Sequence, residues 1–300
     1  MTIIIFIIGL DRITLLFVRK ANGYGTDIIN FYHQKKNSID IIYLGSSHTY
    51  TAFNPYLIED KTGLKGYILA TQQQPIWITY YYFLEALKYQ HPKYVVLDVH
   101  MLTYSSSDYA EEQSNRDAID KMKLSKNKLK AIKTSVPKDE RNAYYFNIIK
   151  YHTRYKELHK VDLKYTFLGY SIDNKGYIAL DYNNQKFNEK DIEFTEEENE
   201  IYNKSEKYLE KIIELAKKNN IELILVKTPA IYKKEEYAKL NYINKYLNNK
   251  NIKYINFIDK EKLKIFDYEK DFYDTGHLTK AGSEKFTLEF IKYLEEVKYD

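Results

Sequence analysis

Short apolar runs alternate with longer amphipathic stretches along most of this chain. A short apolar run bounded by turn residues is typical of a buried parallel strand, and a stretch with apolar residues three or four apart is typical of a helix. The runs predict five strands, at Ile39–Leu44, Gly66–Leu69, Tyr94–Val99, Ile221–Val226 and Tyr254–Ile258. Because a helical pattern separates each run from the next, we predict a three-layer α/β fold with a doubly wound, flavodoxin-like parallel sheet of five strands.

Capping signals mark the helices between these strands. Asn54 is a favourable N-cap residue directly before Pro55, which suits the first helical position. Thr195 and Glu198 have the spacing of a capping box. The helices predicted from these signals and from apolar periodicity are Pro55–Lys61, Pro75–Tyr89, Thr195–Asn219, Lys234–Leu247 and Lys280–Glu296.

Residues 104–194 interrupt the alternation. The segment is at first polar and rich in lysine, then aromatic and helical in pattern at Tyr144–Leu158. Residues 169–184 suggest a turn or a short hairpin around Asn174–Gly176. A structureless loop of this length is uncommon inside a compact domain. We therefore predict a helical insertion that covers the carboxyl edge of the sheet, within one domain spanning residues 21–300.

The first 20 residues pose a separate question. Two apolar runs, Met1–Leu10 and Ile13–Val18, flank Asp11 and Arg12. A membrane-spanning helix needs about 20 mostly apolar residues, and a central charged pair is costly in hydrocarbon. Residues 1–20 could be a truncated membrane anchor, a surface-docking element or the first element of the fold. We favour the truncated anchor, which predicts membrane association through the N-terminus at the extracytoplasmic face; without an anchor we expect a cytoplasmic protein.

Charge and cysteine content exclude several kinds of protein. A net charge of +4 over 300 residues, with Lys and Glu interspersed, lacks the basic stripe of a nucleic-acid-binding protein, so we expect no nucleic-acid partner. The chain has no cysteine, which excludes disulfides, thiolate metal sites and cysteine nucleophiles. Its 32 Tyr residues can reflect an AT-rich genome or exposed rings that stack on sugars, and composition does not decide between these.

A polar turn, Gly45-Ser46-Ser47-His48, follows the first predicted strand directly. Ligands of open α/β sheets bind outside the carboxyl ends of the strands. A glycine there permits a tight turn that presents the next side chain at the sheet edge, and free backbone N–H groups in such a turn can stabilise an oxyanion. By itself, such a turn is more often an ordinary strand end.

The second polar turn, Asp274-Thr275-Gly276-His277, lies between the last strand and the last helix. A serine hydroxyl needs a base within hydrogen-bonding reach, and that base needs a partner that fixes its tautomer. An Asp three residues before a His, in a turn with glycine, can place both side chains on one side of the loop. Alone, this spacing is more often a solvated loop with an incidental histidine. We expect both turns to open on the same edge of the sheet.

Together the two turns resemble the first and last blocks of the SGNH/GDSL hydrolase superfamily. The resemblance implies that Ser47 is the nucleophile, His277 the base and Asp274 the residue that orients it, with Ser46 where those enzymes have aspartate. The wider stretch from Asn37 through Pro55 is similar to the membrane-anchored bacterial branch. That branch includes proteins of teichoic acid D-alanine transfer and alginate acetylation.

Two positions depart from the family pattern. The superfamily usually supplies a glycine N–H and an asparagine side chain to the oxyanion hole. Here the loop after the second strand is Ala70-Thr71-Gln72-Gln73-Gln74, and the third strand ends Asp98-Val99-His100. The resemblance then leaves Gly45, Ser46, His48 and Gln73 as candidates for oxyanion or substrate binding. Loss of one oxyanion donor can cost roughly 10²–10³ in rate, so a slow hydrolase, a transferase or an inactive relative all remain open.

We therefore expect a serine esterase or O-acyltransferase that acts on acyl esters of a cell-surface glycan or polymer, with a membrane acyltransferase as a candidate partner. The alternative is a catalytically inactive module that binds carbohydrate or acts as a scaffold; a nucleotide-binding sheet is a third hypothesis. The sequence shows no metal-ligand cluster and no phosphate-binding glycine loop, so no metal or cofactor is expected. His100, His152 and Arg154 are expected to be structural or surface residues.

Overall fold

A five-stranded, all-parallel sheet forms the centre of the computed structural model, which describes residues 9, 13–18, 28–168, 174–182, 185–250 and 252–299. Its strands are β1 (Ile41–Gly45), β2 (Gly66–Ala70), β3 (Tyr94–Asp98), β4 (Glu222–Lys227) and β5 (Tyr254–Asn256). Their order is β2-β1-β3-β4-β5. This confirms the predicted doubly wound sheet. The order reverses between β1 and β3, and a crevice at such a switch point is where α/β sheets bind ligands.

Fourteen α-helices lie between Ile28 and Tyr299 in the described part of the chain. They are α1 (Ile28–Tyr32), α2 (Ser47–Ala52), α3 (Pro55–Thr62), α4 (Ile76–Ala86), α5 (His100–Tyr104), α6 (Glu112–Ile119), α7 (Lys126–Ser135), α8 (Arg141–Tyr145), α9 (Ile148–Tyr151), α10 (Lys160–Leu168), α11 (Asn203–Lys218), α12 (Lys234–Asn248), α13 (Lys260–Leu263) and α14 (Lys280–Tyr299). One group, α2, α3 and α14, packs together over β1 and β2, while α4 packs with α11 and with α7 of the insertion. Every residue of β1 and β2 is buried, as expected for a sheet covered by helices.

The two ends of the fold meet at α2. Helix α14 packs against α2, and the Ser283 hydroxyl donates a 2.9 Å hydrogen bond to the Ala52 carbonyl. Thr287 Oγ1 donates to the same carbonyl at 3.2 Å and accepts from the Asn54 N–H at 3.1 Å. Because α14 directly follows the second polar turn, this packing brings that turn to the carboxyl end of β1.

Helix α7 of the insertion packs against α4, beside the sheet. Trp77 Nε1 donates to Ser135 Oγ at 2.8 Å, and the Tyr82 hydroxyl donates to the Ala118 carbonyl at 2.6 Å. Helix α4 is aromatic on several faces, so the face turned away from the sheet also needs cover. The start of the insertion contacts the loop after β2, where Gln73 bonds Tyr104 and Ser114. Its later residues reach α2 and the loop after β4: the Ile178 N–H bonds the Tyr50 carbonyl at 2.8 Å, and the Glu193 N–H bonds the Tyr232 carbonyl at 3.0 Å.

The predicted helix start at Thr195 is wrong, because α11 begins at Asn203. Residues before it run alongside α12: the Asn199 N–H bonds the Ala238 carbonyl at 3.0 Å, and Asn241 Nδ2 bonds the Thr195 carbonyl at 2.8 Å. The Thr195 hydroxyl accepts from the Glu197 N–H in a local turn. Tertiary hydrogen bonds to α12 thus replace the helical ones that the acidic sequence favours locally.

Two predictions fall wholly or partly outside the described residues. Of the predicted anchor at 1–20, only residues 9 and 13–18 are described. Of the predicted hairpin at 169–184, the turn at Asn174 is described, and the chain after it runs along the edge strand, where the Ile68 N–H bonds the Lys175 carbonyl at 2.9 Å. None of the helices in the described ranges is both long and apolar enough to cross a bilayer.

Candidate active site

The turn after β1 is shaped by Gly45. Its φ is +151°, and a Cβ there would lie 2.0 Å from Thr49 Oγ1 and 3.2 Å from the Cβ of Asp98. Only glycine fits this approach without displacing α2. The chain then enters α2 at Ser47, so the candidate nucleophile lies at the first helical position, at the carboxyl end of the sheet.

Ser46 is completely buried at the N-cap position. Its carbonyl accepts from the Thr49 N–H at 2.9 Å, while its hydroxyl has no hydrogen-bond partner among the described residues. Its side chain is therefore closed off from the surface, and Ser46 stays a prediction as an oxyanion or substrate-binding residue. Ser47 next to it retains slight exposure, at 7%.

The second polar turn is a closed loop. The Tyr273 N–H bonds the His277 carbonyl and the Thr279 N–H bonds the Asp271 carbonyl, both at 2.9 Å. The loop after β4 also holds it, because the Ile231 N–H donates to the Thr275 carbonyl at 2.7 Å. The backbone of this turn is therefore anchored from two sides.

Asp274 is hydrogen-bonded to the imidazole of His277. Both carboxylate oxygens lie 2.8 Å from His277 Nδ1. Asp274 Oδ1 also accepts from the backbone N–H groups of Gly276 and His277, at 2.8 and 2.9 Å. Burial raises the pKa of Asp274, but these hydrogen bonds outweigh burial and lower it overall. The carboxylate stays ionised and fixes the ring, which leaves Nε2 as the basic nitrogen.

The two turns lie side by side. His48, which follows Ser47, has its ring centre 5.2 Å from that of His277. A Cβ on Gly276 would lie 2.7 Å from His48 Nε2, so the absence of a side chain at 276 makes room for that ring. Segments more than two hundred residues apart in the chain therefore meet at one edge of the sheet.

His48 belongs to a buried polar cluster that sequence analysis missed. Its ring stacks on His100, with 3.5 Å between ring centres and 19° between planes. Lys227 Nζ lies 3.4 Å from His48 Nδ1, and the Tyr232 hydroxyl bonds His100 Nδ1. Burial lowers the pKa of His48 well below its usual range, and the charges of His100, Lys227 and His277 lower it further. His48 is therefore neutral at physiological pH.

The cluster is anchored by Asp98 at the end of β3. Its carboxylate accepts from the His100 N–H at 3.0 Å and from the N–H and hydroxyl of Thr228 at 3.0 and 2.9 Å. Lys227 is fully buried and donates to the Thr228 carbonyl at 2.7 Å. Burial lowers the pKa of Lys227 to about 8, and Asp98 limits the fall. The signal available in the sequence was a lysine closing the otherwise apolar end of a strand.

Gln73 lies in the loop after β2 and binds the insertion. Its Nε2 donates to the Tyr104 hydroxyl at 3.2 Å, and its Oε1 accepts from Ser114 Oγ at 3.3 Å. Its φ is +47°, a strained value for a residue with a side chain. Next to it is a cavity of about 360 Å³ between the loop and the insertion.

The remaining histidine candidates differ in position. His100 is part of the buried cluster, whereas His152 is exposed and bonds only locally, to the Ile149 carbonyl. Arg154 binds the carbonyls of Leu16 and Val18, so it holds the N-terminal segment. No group of three or more His, Asp or Glu side chains in the described ranges is arranged to hold a metal ion.

The known proteins similar to this chain resemble it in fold and share little of its sequence. No protein-family model matches the sequence, and no curated protein matches it. Among solved structures, the chain is similar to a protein from Desulfitobacterium hafniense described as lipolytic and of the G-D-S-L family, with 12% identity over 85% of this chain and 99% of that one, at a TM-score of 0.44. It is similar to a protein from Bacteroides fragilis described as an acylhydrolase, with 13% identity over 89% and 94% of the chains, at 0.41. An acetyl xylan esterase from Butyrivibrio proteoclasticus matches with 11% identity over 87% and 64%, at 0.35.

Proposed function

We propose that this chain is a serine-dependent ester hydrolase or O-acyltransferase of the SGNH/GDSL type. The observation that carries the proposal is the Asp274–His277 pair, joined at 2.8 Å in a turn that abuts His48, the neighbour of Ser47. A carboxylate that fixes an imidazole beside a serine at a strand end is the arrangement that activates a hydroxyl for acyl transfer.

In this proposal Ser47 Oγ attacks the carbonyl carbon of an ester while His277 Nε2 takes the hydroxyl proton. Asp274 stabilises the imidazolium that forms. The tetrahedral intermediate collapses, the ester C–O bond breaks, and His277 returns the proton to the leaving alcohol. Water or a sugar hydroxyl then attacks the acyl-enzyme, with His277 again as the base, and Ser47 is released.

The oxyanion has two candidate donors close to Ser47. One is the backbone N–H of Ser47 at the start of α2. The other is His48: because Lys227 donates to Nδ1, a neutral ring carries its proton on Nε2, the nitrogen that faces Gly276. A neutral imidazole can act as an electrophile in this way. His48 would thus replace a donor that the glutamine-rich loop after β2 lacks.

The substrate class and location are part of the proposal. We place the chain at the extracytoplasmic face of the membrane, acting on an acylated cell-surface glycan or polymer, with a membrane acyltransferase as partner. The motif resemblance supports this placement. Hydrolysis and transfer differ only in which hydroxyl reaches the acyl-enzyme, and that depends on how far water is excluded.

A second candidate function is a non-catalytic module that binds glycan. The observation that favours it is the missing pair of oxyanion donors, since no glycine occupies the loop at 70–74 and His100 stands where the family has asparagine. The two functions separate in a single labelling experiment.

A fluorophosphonate probe and p-nitrophenyl acetate test the proposal. We expect stoichiometric labelling and measurable hydrolysis with the unaltered chain, and neither with Ser47→Ala. Ser38→Ala, whose hydroxyl only caps a local turn by donating to the Lys35 carbonyl, is the matched control and should keep both. Equal labelling of Ser47→Ala, or none of the unaltered chain, would remove the enzymatic proposal and leave the binding module.

A further inference from the structure

The cavity beside Gln73 lies at the same edge of the sheet as the candidate nucleophile. Its walls come from the loop after β2 and from α5, which follows β3. Since β2 and β3 flank β1, both walls stand next to the carboxyl end of β1, where Ser47 begins α2. Ring contacts also connect the cavity to the residue after Ser47: the Tyr104 ring lies 5.8 Å from the His100 ring, which stacks on His48.

The lining of this cavity combines aromatic rings with hydroxyl and amide groups. Trp77, Tyr104 and Tyr109 supply the rings, and both tyrosines are exposed, at 53% and 43%. Polar groups come from Gln73, Ser114 and the serines at 105–107. Aromatic faces suit the C–H faces of a sugar ring, and the polar groups suit its hydroxyls.

The charges near the cavity disfavour an anionic ligand. Its described lining includes one carboxylate, Glu111, and no lysine or arginine. Lys204 is not part of this lining. Its Nζ lies 4.2 Å from the Trp77 ring centre and donates to backbone carbonyls, among them that of Thr134 at 2.8 Å. A phosphate or uronate would therefore meet a negative group without a free cation to balance it.

The side-chain amide of Gln73 is held by two hydrogen bonds and has one further donor. Its carbonyl oxygen accepts from Ser114 and one amide hydrogen goes to Tyr104, which fixes the side chain at the mouth of the cavity. An amide nitrogen carries two hydrogens, so the second can donate to a ligand hydroxyl. A strained backbone at Gln73, with φ at +47°, is the kind of feature that clusters at ligand sites.

We propose that this cavity is a subsite for a neutral sugar ring of the glycan whose ester Ser47 attacks. The inference rests on the proposed function and narrows it to an uncharged glycan, held by Tyr104 and Tyr109 and oriented by Gln73. The insertion thereby contributes to substrate choice, because its first residues, 104–114, form one side of the cavity.

Tryptophan fluorescence can follow binding at this subsite without an added label, because Trp77 lines the cavity and is the single tryptophan of the chain. We suggest titrating the unaltered chain with xylotriose, chitotriose and maltotriose, and with trigalacturonate as the anionic probe, while following tryptophan-selective fluorescence. We expect a saturable change with at least one neutral trisaccharide and none with trigalacturonate.

Three tyrosine variants test whether the sugar binds in this cavity. Tyr104→Ala should weaken sugar binding about tenfold, which corresponds to ~1.4 kcal/mol. Tyr104→Phe, which keeps the ring, should lose less. Tyr155→Ala removes an equally exposed tyrosine outside the cavity and should bind as the unaltered chain does. Tyr104 is exposed, so circular dichroism should show all three variants folded.

The outcomes separate the subsite from the enzymatic proposal. If none of the three neutral sugars changes the fluorescence, if trigalacturonate binds more tightly, or if Tyr155→Ala loses as much as Tyr104→Ala, the subsite is wrong. Hydrolysis of p-nitrophenyl acetate without sugar binding would reject the subsite alone. Sugar binding that persists in Ser47→Ala, with no labelling of the unaltered chain, would keep the subsite and reject the enzyme.

Discussion

Lys227 Nζ lies 3.4 Å from His48 Nδ1, although the two residues are 179 positions apart and both are buried. A protonated lysine in this position can only donate, so His48 Nδ1 must accept and the ring proton must reside on Nε2. That nitrogen faces Gly276, in the turn that carries Asp274 and His277. The tautomer of one residue in the site is thus set by a charge on the opposite side of β3.

Replacing this lysine should impair catalysis more than binding. In Lys227→Met, His48 loses its donor and is free to adopt the other tautomer. We expect kcat to fall about tenfold to a hundredfold, with little change in KM, because a buried polar group without its partner costs about 1–3 kcal/mol. Nitrogen-15 NMR of the histidines should show the proton of His48 moving from Nε2.

A matched control is Lys262→Met, which removes an exposed lysine that lies over the Phe257 ring. It should leave both kcat and the His48 spectrum unchanged. A Lys227→Met variant with full activity would show that the tautomer of His48 has no role in the reaction.

Lys227 should also produce an alkaline rise in stability. Its pKa falls from 10.5 when unfolded to about 8 when folded, so between those values the unfolded chain binds more protons. Stability therefore increases with pH across this window and levels off above it, by about 3 kcal/mol in total. Below pH 8 both states are protonated and the full penalty of burying the charge is present.

Urea unfolding from pH 7 to 10.5 measures this effect. The free energy of unfolding of the unaltered chain minus that of Lys227→Met isolates it from tyrosines that titrate in the same range. A flat difference across the window would mean that Lys227 keeps an ordinary pKa in the folded chain.

Gly276→Ala should damage the site while the fold survives. The added Cβ would lie 2.7 Å from His48 Nε2 and 3.1 Å from its Cε1, so either the ring or the turn must shift. We expect a loss of at least about tenfold in kcat, because a small misplacement in an active site can cost up to roughly a hundredfold. Steady-state kinetics and a thermal melt measure the two effects separately.

Gly63→Ala is the contrasting variant. A Cβ there meets nothing within 4 Å, but its φ is +73°, so alanine should cost about 1 kcal/mol in stability without altering kcat. If Gly276→Ala behaves like Gly63→Ala, the contact with His48 does not matter for activity.

Asp274→Asn should nearly abolish turnover. Asparagine can keep the backbone hydrogen bonds of the turn, but its amide favours the wrong tautomer of His277, and a comparable change in a serine triad costs roughly 10⁴ in kcat. Asp267→Asn, in an exposed local turn near the same loop, should retain activity. Activity within tenfold of the unaltered chain would exclude Asp274 as the orienting residue.

Much of the fold could be read from local patterns. All five strands were predicted within two residues at the start of each, and Asn54 indeed caps α3, accepting from the N–H groups of Tyr56 and Leu57. These features depend on near neighbours: periodicity decides which face is buried, and a cap binds residues two or three positions away. The predicted helix start at Thr195 was wrong because residues before Asn203 form hydrogen bonds with α12 in place of the helical ones.

The sequence by itself determined which segments form strands, the glycine turn before Ser47 and the spacing of Asp274 and His277 within one turn, because each depends on residues close together in the chain. The tertiary structure decided what surrounds them. Three features bring together segments that are far apart in the chain: the stacking of His48 on His100, the contact of Lys227 with His48, and the cavity between Gln73 and the insertion. Such contacts follow from how helices pack on the sheet, and side-chain packing of that kind leaves no periodic trace in the order of residues.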